Sequence, residues 1–226
     1  MAELTYYGHA AFMLETGGVK IWIDPYLKGN PTATITPDKA EADYILVTHG
    51  HGDHVGDTVE IAERTLAVAI SNAEICAWLR EKGVRTHALH IGGGHEFSFG
   101  YVKMTPALHG SSMPDGSYGG SPGGFFLSLT DGSQYYFAGD TGLFGDMRLI
   151  GDEGLDAAVI PIGDNYTMGP KDALRAVQFL RPNIVIPMHY DTFDMIQQDV
   201  QAWKARVEQE TDAQVLVMQP GDSASI

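Results

Sequence analysis

The densest chemistry in this chain lies in one short run, Tyr44-Ile45-Leu46-Val47-Thr48-His49-Gly50-His51-Gly52-Asp53-His54. An apolar strand leads directly into His-x-His-x-Asp-His, putting four ligand-type residues within six positions. Imidazole nitrogens and carboxylate oxygens are the donors that divalent transition ions take. Gly50 and Gly52 let the backbone turn sharply enough for the side chains to converge. Without a cation, such a cluster would be mutually repulsive or desolvated at a cost. The pattern therefore points to metal binding, with the strand as rigid support and the loop at its C-terminal end aimed into a crevice.

The elements that must hold this loop follow from hydrophobic patterning. Short β-branched or aromatic runs predict strands at about 11–14, 19–23, 44–47, 66–70, 101–105, 125–129, 134–138, 157–162, 183–186 and 215–218. Helical periodicity appears at about 58–64, 73–82, 170–180 and 194–208, with Pro170 suited to a first turn and Pro182 to a stop. The first part is rich in strands and hairpins, while the last third alternates strand with helix. Two packed sheets with helices outside satisfy that order; a purely doubly wound sheet would need helices earlier. The segment from Gly110 to Gly124, rich in glycine, reads as a long surface loop between strands. No linker, repeat or low-complexity tract divides the chain, so one domain over residues 1–226 is expected.

Composition narrows the partners. The 226 residues are 44% hydrophobic, enough for a sizeable core, and carry 14 Lys+Arg against 29 Asp+Glu, a net charge of −15. A surface so acidic repels phosphate backbones and anionic membranes, which favours a small-molecule substrate over nucleic acid or a membrane. A homo-oligomer is compatible with it. The single cysteine, Cys76, allows no internal disulfide, and Met1–Tyr7 lacks the basic and apolar regions of a signal peptide. No apolar run approaches the roughly 18 residues that span a bilayer. A cytoplasmic protein is the expectation.

His-x-His-x-Asp-His after a buried strand resembles the metallo-β-lactamase superfamily, and further segments resemble it in the same order. Ala107-Leu108-His109-Gly110 follows a strand, Phe137-Ala138-Gly139-Asp140-Thr141-Gly142 is similar to the aspartate motif, and Ile186-Pro187-Met188-His189-Tyr190 to the last histidine motif. Gly8-His9-Ala10-Ala11-Phe12, Ile23-Asp24-Pro25 and the run Pro161–Gly169 are similar to the branch of small metal-dependent hydrolases related to ascorbate-6-phosphate lactonase. The resemblance spans essentially the whole chain. It implies an α/β fold, a four-layer αβ/βα sandwich of two mixed sheets with helices on the outer faces. It also implies two divalent ions per chain: His49, His51 and His109 would hold one, Asp53, His54 and His189 the other, and Asp140 would bridge them. Zinc is the leading expectation, with manganese, iron or nickel open because no thiolate takes part.

Two ions about 3.5–4 Å apart can share a hydroxide acidified towards neutral pH, which attacks a carbonyl carbon or phosphorus. The function implied is hydrolysis of a small ester, lactone or phosphodiester. The alternatives are a nuclease-type phosphodiesterase, which the acidic balance disfavours, and a metal-binding sensor without turnover. Asp53 is a candidate orienter or proton acceptor for the nucleophile. His9 is a candidate catalytic residue through proton donation or hydrogen bonding beside the metals, against a purely structural role. Asp24 is a candidate acceptor for the far nitrogen of a ligand imidazole. The spacing of His87, His90 and His95 disfavours a second site, and Cys76 reads as an inert core residue. Met168 and Met188 read as packing. The N-terminus of the 170–180 helix, with Lys171, could receive a substrate anion.

Overall fold

The computed structural model describes residues 2–226. Its first sheet opens with the antiparallel meander β1 (Glu3–Tyr6), β2 (Phe12–Thr16) and β3 (Val19–Ile23) and continues in parallel through β4 (Tyr44–Leu46), β5 (Val68–Ser71) and β6 (Arg85–Ala88). The second sheet repeats this plan. β7 (Gly94–Phe97), β8 (Gly100–Pro106), β9 (Gly123–Leu129) and β10 (Gln134–Phe137) are antiparallel, and β11 (Ala157–Pro161), β12 (Ile184–Met188) and β13 (Gln214–Val215) follow in parallel. The last strand, β14 (Ser223–Ser225), returns to the first sheet beside β1.

The two sheets face one another across a shared core that includes Leu4, Phe12 and Leu46 from one side and Phe125, Phe137 and Ile186 from the other. On the outer face of the first sheet, α2 (Thr58–Thr65) and α3 (Ala73–Glu81) bury Ile61, Ile75 and Leu79 against Trp22, Ile45 and Ala69. On the second, α4 (Met147–Gly151), α5 (Pro170–Leu180) and α6 (Val200–Glu210) bury Met147, Val177 and Trp203 against Tyr136, Ile160 and Val185. Each fully buried large side chain contributes about 1.5–3 kcal/mol, so both faces of the central strands are apolar. β11, Ala-Ala-Val-Ile-Pro, is buried at every position. The result is the four-layer αβ/βα sandwich that the element order and the resemblance led us to expect.

Among the boundaries that differ from the patterning, two have a local cause. The helix expected from 194 breaks into a 3₁₀ turn at Asp194–Ile196 and α6 from Val200, because Asp199 caps α6 by accepting from Ala202 N at 2.9 Å. The strand expected from 66 starts at Val68, since Leu66 takes a left-handed conformation at the end of α2 (φ 61°).

Candidate metal centre

Strand direction gathers the chemistry at one edge. β1, β3 and β4 run the same way in the first sheet, as β8, β10, β11 and β12 do in the second. Their C-terminal ends carry His9, Asp24, the His49–His54 loop, His109, Asp140 and His189. Asp53 and His54 lie in the single-turn helix α1 (Gly52–Val55). This edge is also where the backbone is most contorted. Six non-glycine residues with positive φ lie there: His9, Asp24, Asp164, Asn165, His189 and Asp191. Each such residue costs about 1–3 kcal/mol and is tolerated only where the surroundings over-determine it, as at functional sites.

Of three groups of potential ligand atoms, one, Asp24 with His49 and His54, is the hydrogen-bonded set described below, and the other two carry the expected ligands. The ligand atoms of His49, His51 and His109 lie within 4.8 Å of one another, as do those of His9, Asp53, His54 and His189. Asp140 lies between the groups. Its Oδ2 is 3.4 Å from His109 Nε2 and 3.1 Å from His189 Nε2, and its Oδ1 is 3.3 Å from His54 Nε2. These approaches lack hydrogen-bond alignment. His54 Nε2, His189 Nε2 and Asp140 Oδ1 are buried polar atoms without a hydrogen-bond partner. Buried polar atoms are almost always satisfied, and orphans converging on one point are the geometry that a shared cation satisfies. The donor set of imidazoles and carboxylates fits divalent transition ions.

Asp24 disciplines both groups. Its Oδ2 accepts from His54 Nδ1 at 2.8 Å and from Thr48 Oγ1 at 2.6 Å, and its Oδ1 accepts from Thr48 N at 2.8 Å. Thr48 Oγ1 in turn lies 3.0 Å from His49 Nδ1. With its own proton given to Asp24, the hydroxyl accepts from His49. In the neutral form that a metal ligand takes, both imidazoles therefore carry hydrogen on Nδ1 and present the Nε2 lone pair inward. One carboxylate fixes a ligand in each group, directly in one and through a hydroxyl in the other.

His9 is buried, with Nδ1 2.9 Å from Thr192 Oγ1 and Nε2 3.1 Å from Asp53 Oδ2. Its ring centroid lies 4.0 Å from that of His189 with the planes tilted by 45°, and its carbonyl accepts from His189 N at 2.8 Å. Burial lowers the His9 pKa to about 4, against the raising effect of Asp53. The ring is thus neutral near pH 7 and can donate one hydrogen bond to Asp53. Burial also pulls the His54 imidazole down, but Asp140 and Asp24 outweigh it and hold His54 well above its ordinary value. Asp140 is the reverse case. Burial opposes its ionisation, and the charges of His54 and His189 keep it well below the usual carboxylate range.

The β-lactamase superfamily domain profile matches residues 3–189. A UPF0173 metal-dependent hydrolase of Desulforamulus reducens is 49% identical, covering 99% of this chain and all of the relative. One from Heliobacterium modesticaldum is 46% identical, covering all of this chain and 98% of the relative. The chain belongs to the UPF0173 family of the β-lactamase superfamily. Among solved structures, Igni18, described as a novel metallo hydrolase of the archaeon Ignicoccus hospitalis, superposes with a TM-score of 0.90 at 39% identity. That match covers 99% of this chain and 97% of Igni18.

In this UPF0173 member all seven expected ligands, with His9 and Asp24, meet at the one edge. Sequence reasoning missed Thr48 and Thr192, whose hydroxyls hold His49 and His9. Adjacency to a ligand was the available signal for Thr48, whereas Thr192 becomes visible only through the fold. Gly139 was also missed: its φ is 61°, and a Cβ there would lie 2.8 Å from Thr48 Cβ. His87 and His95 do meet, on facing edge strands with ring centroids 4.3 Å apart, while His90 is exposed outside that pair. Cys76, Met168 and Met188 are core residues. At the start of α5 no side chain caps the helix, and the Asp164 carboxylate lies beside Gly169, where a Cβ would meet its carbon at 2.8 Å.

Proposed function

We propose that this chain is a dinuclear metal-dependent hydrolase of a small ester, lactone or phosphodiester. The carrying observation is the convergence of partnerless His54 Nε2, His189 Nε2 and Asp140 Oδ1 between two groups of ligand atoms. His49, His51 and His109 would hold one divalent ion and Asp53, His54 and His189 the other, with one Asp140 oxygen available to each. Zinc suits the set best, with manganese, iron and nickel as alternatives. When bound, the ions supply an activated water and a Lewis acid for the electrophile's oxygen.

The chain's own residues do the rest. Asp24 and Thr48 lock the tautomers of His54 and His49, so little reorganisation accompanies loading. Asp53, whose side chain is 34% exposed, is the carboxylate open to solvent and to a substrate. Burial raises its pKa, but the hydrogen bond from His9 and the charges of His54 and His9 more than offset this and keep it ionised. An ionised Asp53 can orient the attacking water and accept its proton. His9 acts through Asp53, fixing its Oδ2. Elemental analysis after reconstitution, read beside turnover of lactone, ester and phosphodiester panels with Zn²⁺, Mn²⁺ and Ni²⁺ in turn, tests this reading. More than one ion per chain and turnover that depends on it is the expected result. Stoichiometric metal without turnover, together with a tight cellular ligand, would favour a sensor instead.

A further inference from the structure

Apolar side chains are exposed around the same edge, where cations are scarce. Leu108, Tyr118, Tyr166, Phe193 and Met195 are each at least 41% exposed. All five sit on loops tied to the ligands. Leu108 precedes His109, and its carbonyl accepts from Gly142 N. Tyr118 pairs with Ser112, next to Ser111, whose hydroxyl accepts from Gly50 N. The loop of Tyr166 is pinned by Met168 N to the carbonyl of Thr141, beside Asp140. Phe193 and Met195 follow Thr192, the partner of His9, and the rings of Phe193 and Tyr26 lie 5.5 and 5.8 Å from that of His9.

The charge on these loops is of one sign. Residues 48–57, 107–122, 139–147, 161–170 and 189–199 contain no lysine or arginine, while Asp115, Asp146, Asp164, Asp191, Asp194 and Asp199 are exposed there. Lys28 lies on the loop that follows β3, and Arg148 in α4 and Lys171 in the first turn of α5 stand next to these loops along the chain. The Asp164 carboxylate stands beside Gly169 at the start of α5, where its charge opposes an anion. A substrate phosphate outside the metal pair would meet carboxylates and no guanidinium fork.

We propose that the substrate is an uncharged carbonyl compound, an ester or lactone, whose apolar or aromatic group rests on the rim formed by Tyr26, Leu108, Tyr118, Tyr166, Phe193 and Met195. This deepens the hydrolase reading and rests on it. The rim removes apolar surface from water, and each methylene laid on it strengthens binding about two- to fourfold. An ester carbonyl needs no further cation, because bound metals would supply the positive charge its oxygen requires, whereas a phosphorylated substrate would need one elsewhere.

The test uses the metal-loaded protein and two independent readouts. Calorimetry with acetohydroxamate, butanohydroxamate and hexanohydroxamate reads the rim without turnover. Affinity is expected to rise at least tenfold along the series. That gradient should flatten in a Tyr166→Ser/Phe193→Ser double variant whose melting curve is unchanged, and inorganic phosphate should bind more weakly than hexanohydroxamate. Equal or absent binding across the series, or phosphate binding tighter than hexanohydroxamate, overturns the proposal. In parallel, p-nitrophenyl acetate and hexanoate are offered as substrates, and the hexanoate is expected to have the lower KM. A steep hydroxamate gradient without hydrolysis of either ester leaves the rim standing and removes the hydrolase reading. Hydrolysis with no chain-length dependence does the opposite.

Discussion

Asp24 Oδ2 lies 2.8 Å from His54 Nδ1, and this one contact joins a buried carboxylate to a ligand position that also faces Asp140. Through Thr48 the same carboxylate reaches His49 in the other group of ligands. Both halves of the centre therefore depend on a residue that would touch neither ion.

Asp24→Asn is expected to weaken metal binding about 10–100-fold, the usual cost of losing a partner behind a ligand imidazole. Asparagine tolerates the positive φ of this position (46°), so the fold should persist. Competition with a chromophoric chelator reads the affinity, and an unchanged value would mean that the imidazoles are oriented by something else.

Asp140→Asn should retain the fold and lose much of the affinity for at least one ion, because a neutral amide bridges two cations poorly. Hydrolysis should drop by orders of magnitude, in kcat and kcat/KM alike. Asp146, exposed six residues further on, is the control: Asp146→Asn should alter neither quantity. Two tightly held ions with near-normal turnover in Asp140→Asn would remove the bridging role.

Metal binding should release protons. His54 is held well above its ordinary pKa by Asp140 and Asp24, so it is protonated at neutral pH, whereas a ligand imidazole must be neutral. Apparent affinity should thus rise with pH, and the binding enthalpy should vary linearly with the ionisation enthalpy of the buffer. A slope of zero would show that His54 is not among the groups that bind.

Gly139→Ala should destabilise the protein by about 1–3 kcal/mol, since the new Cβ must adopt φ 61° and would lie 2.8 Å from Thr48 Cβ. Gly145→Ala, with nothing within 4 Å of its Cβ, serves as comparison. If the two variants melt alike, the contact between the Asp140 and His49 loops is softer than the packing implies.

Much of the fold was legible because its central strands are apolar and bounded by turn residues. β3 and α5 start and end where their patterns do. The edge strands were not legible. β6 reads Arg-Thr-His-Ala, β7 Gly-His-Glu-Phe and β14 Ser-Ala-Ser, and their pairing is supplied by neighbours rather than by propensity. At the candidate metal centre, the family resemblance pointed to the residues that the structure brings together. It could not give the hydroxyl of Thr192 or the left-handed backbone at His9 and His189, which arise only when β1 and β12 meet across the two sheets.

That meeting has a consequence for how the chain is made. β1, which leads into His9, is flanked on its outer side by β14, and Thr5 bonds to Ser223 across 218 positions at 2.8 Å. Pairings this distant in sequence close late and slow the approach to the native state. When the His49–His54 loop has been synthesised, 172 of the 226 residues are still to follow, and its sheet lacks an edge until residues 223–225 appear. A nascent chain therefore displays a histidine cluster able to scavenge metal long before the pocket that would govern which metal it keeps. The metal supply during synthesis, and not only affinity in the finished protein, is then expected to bear on which ion it holds.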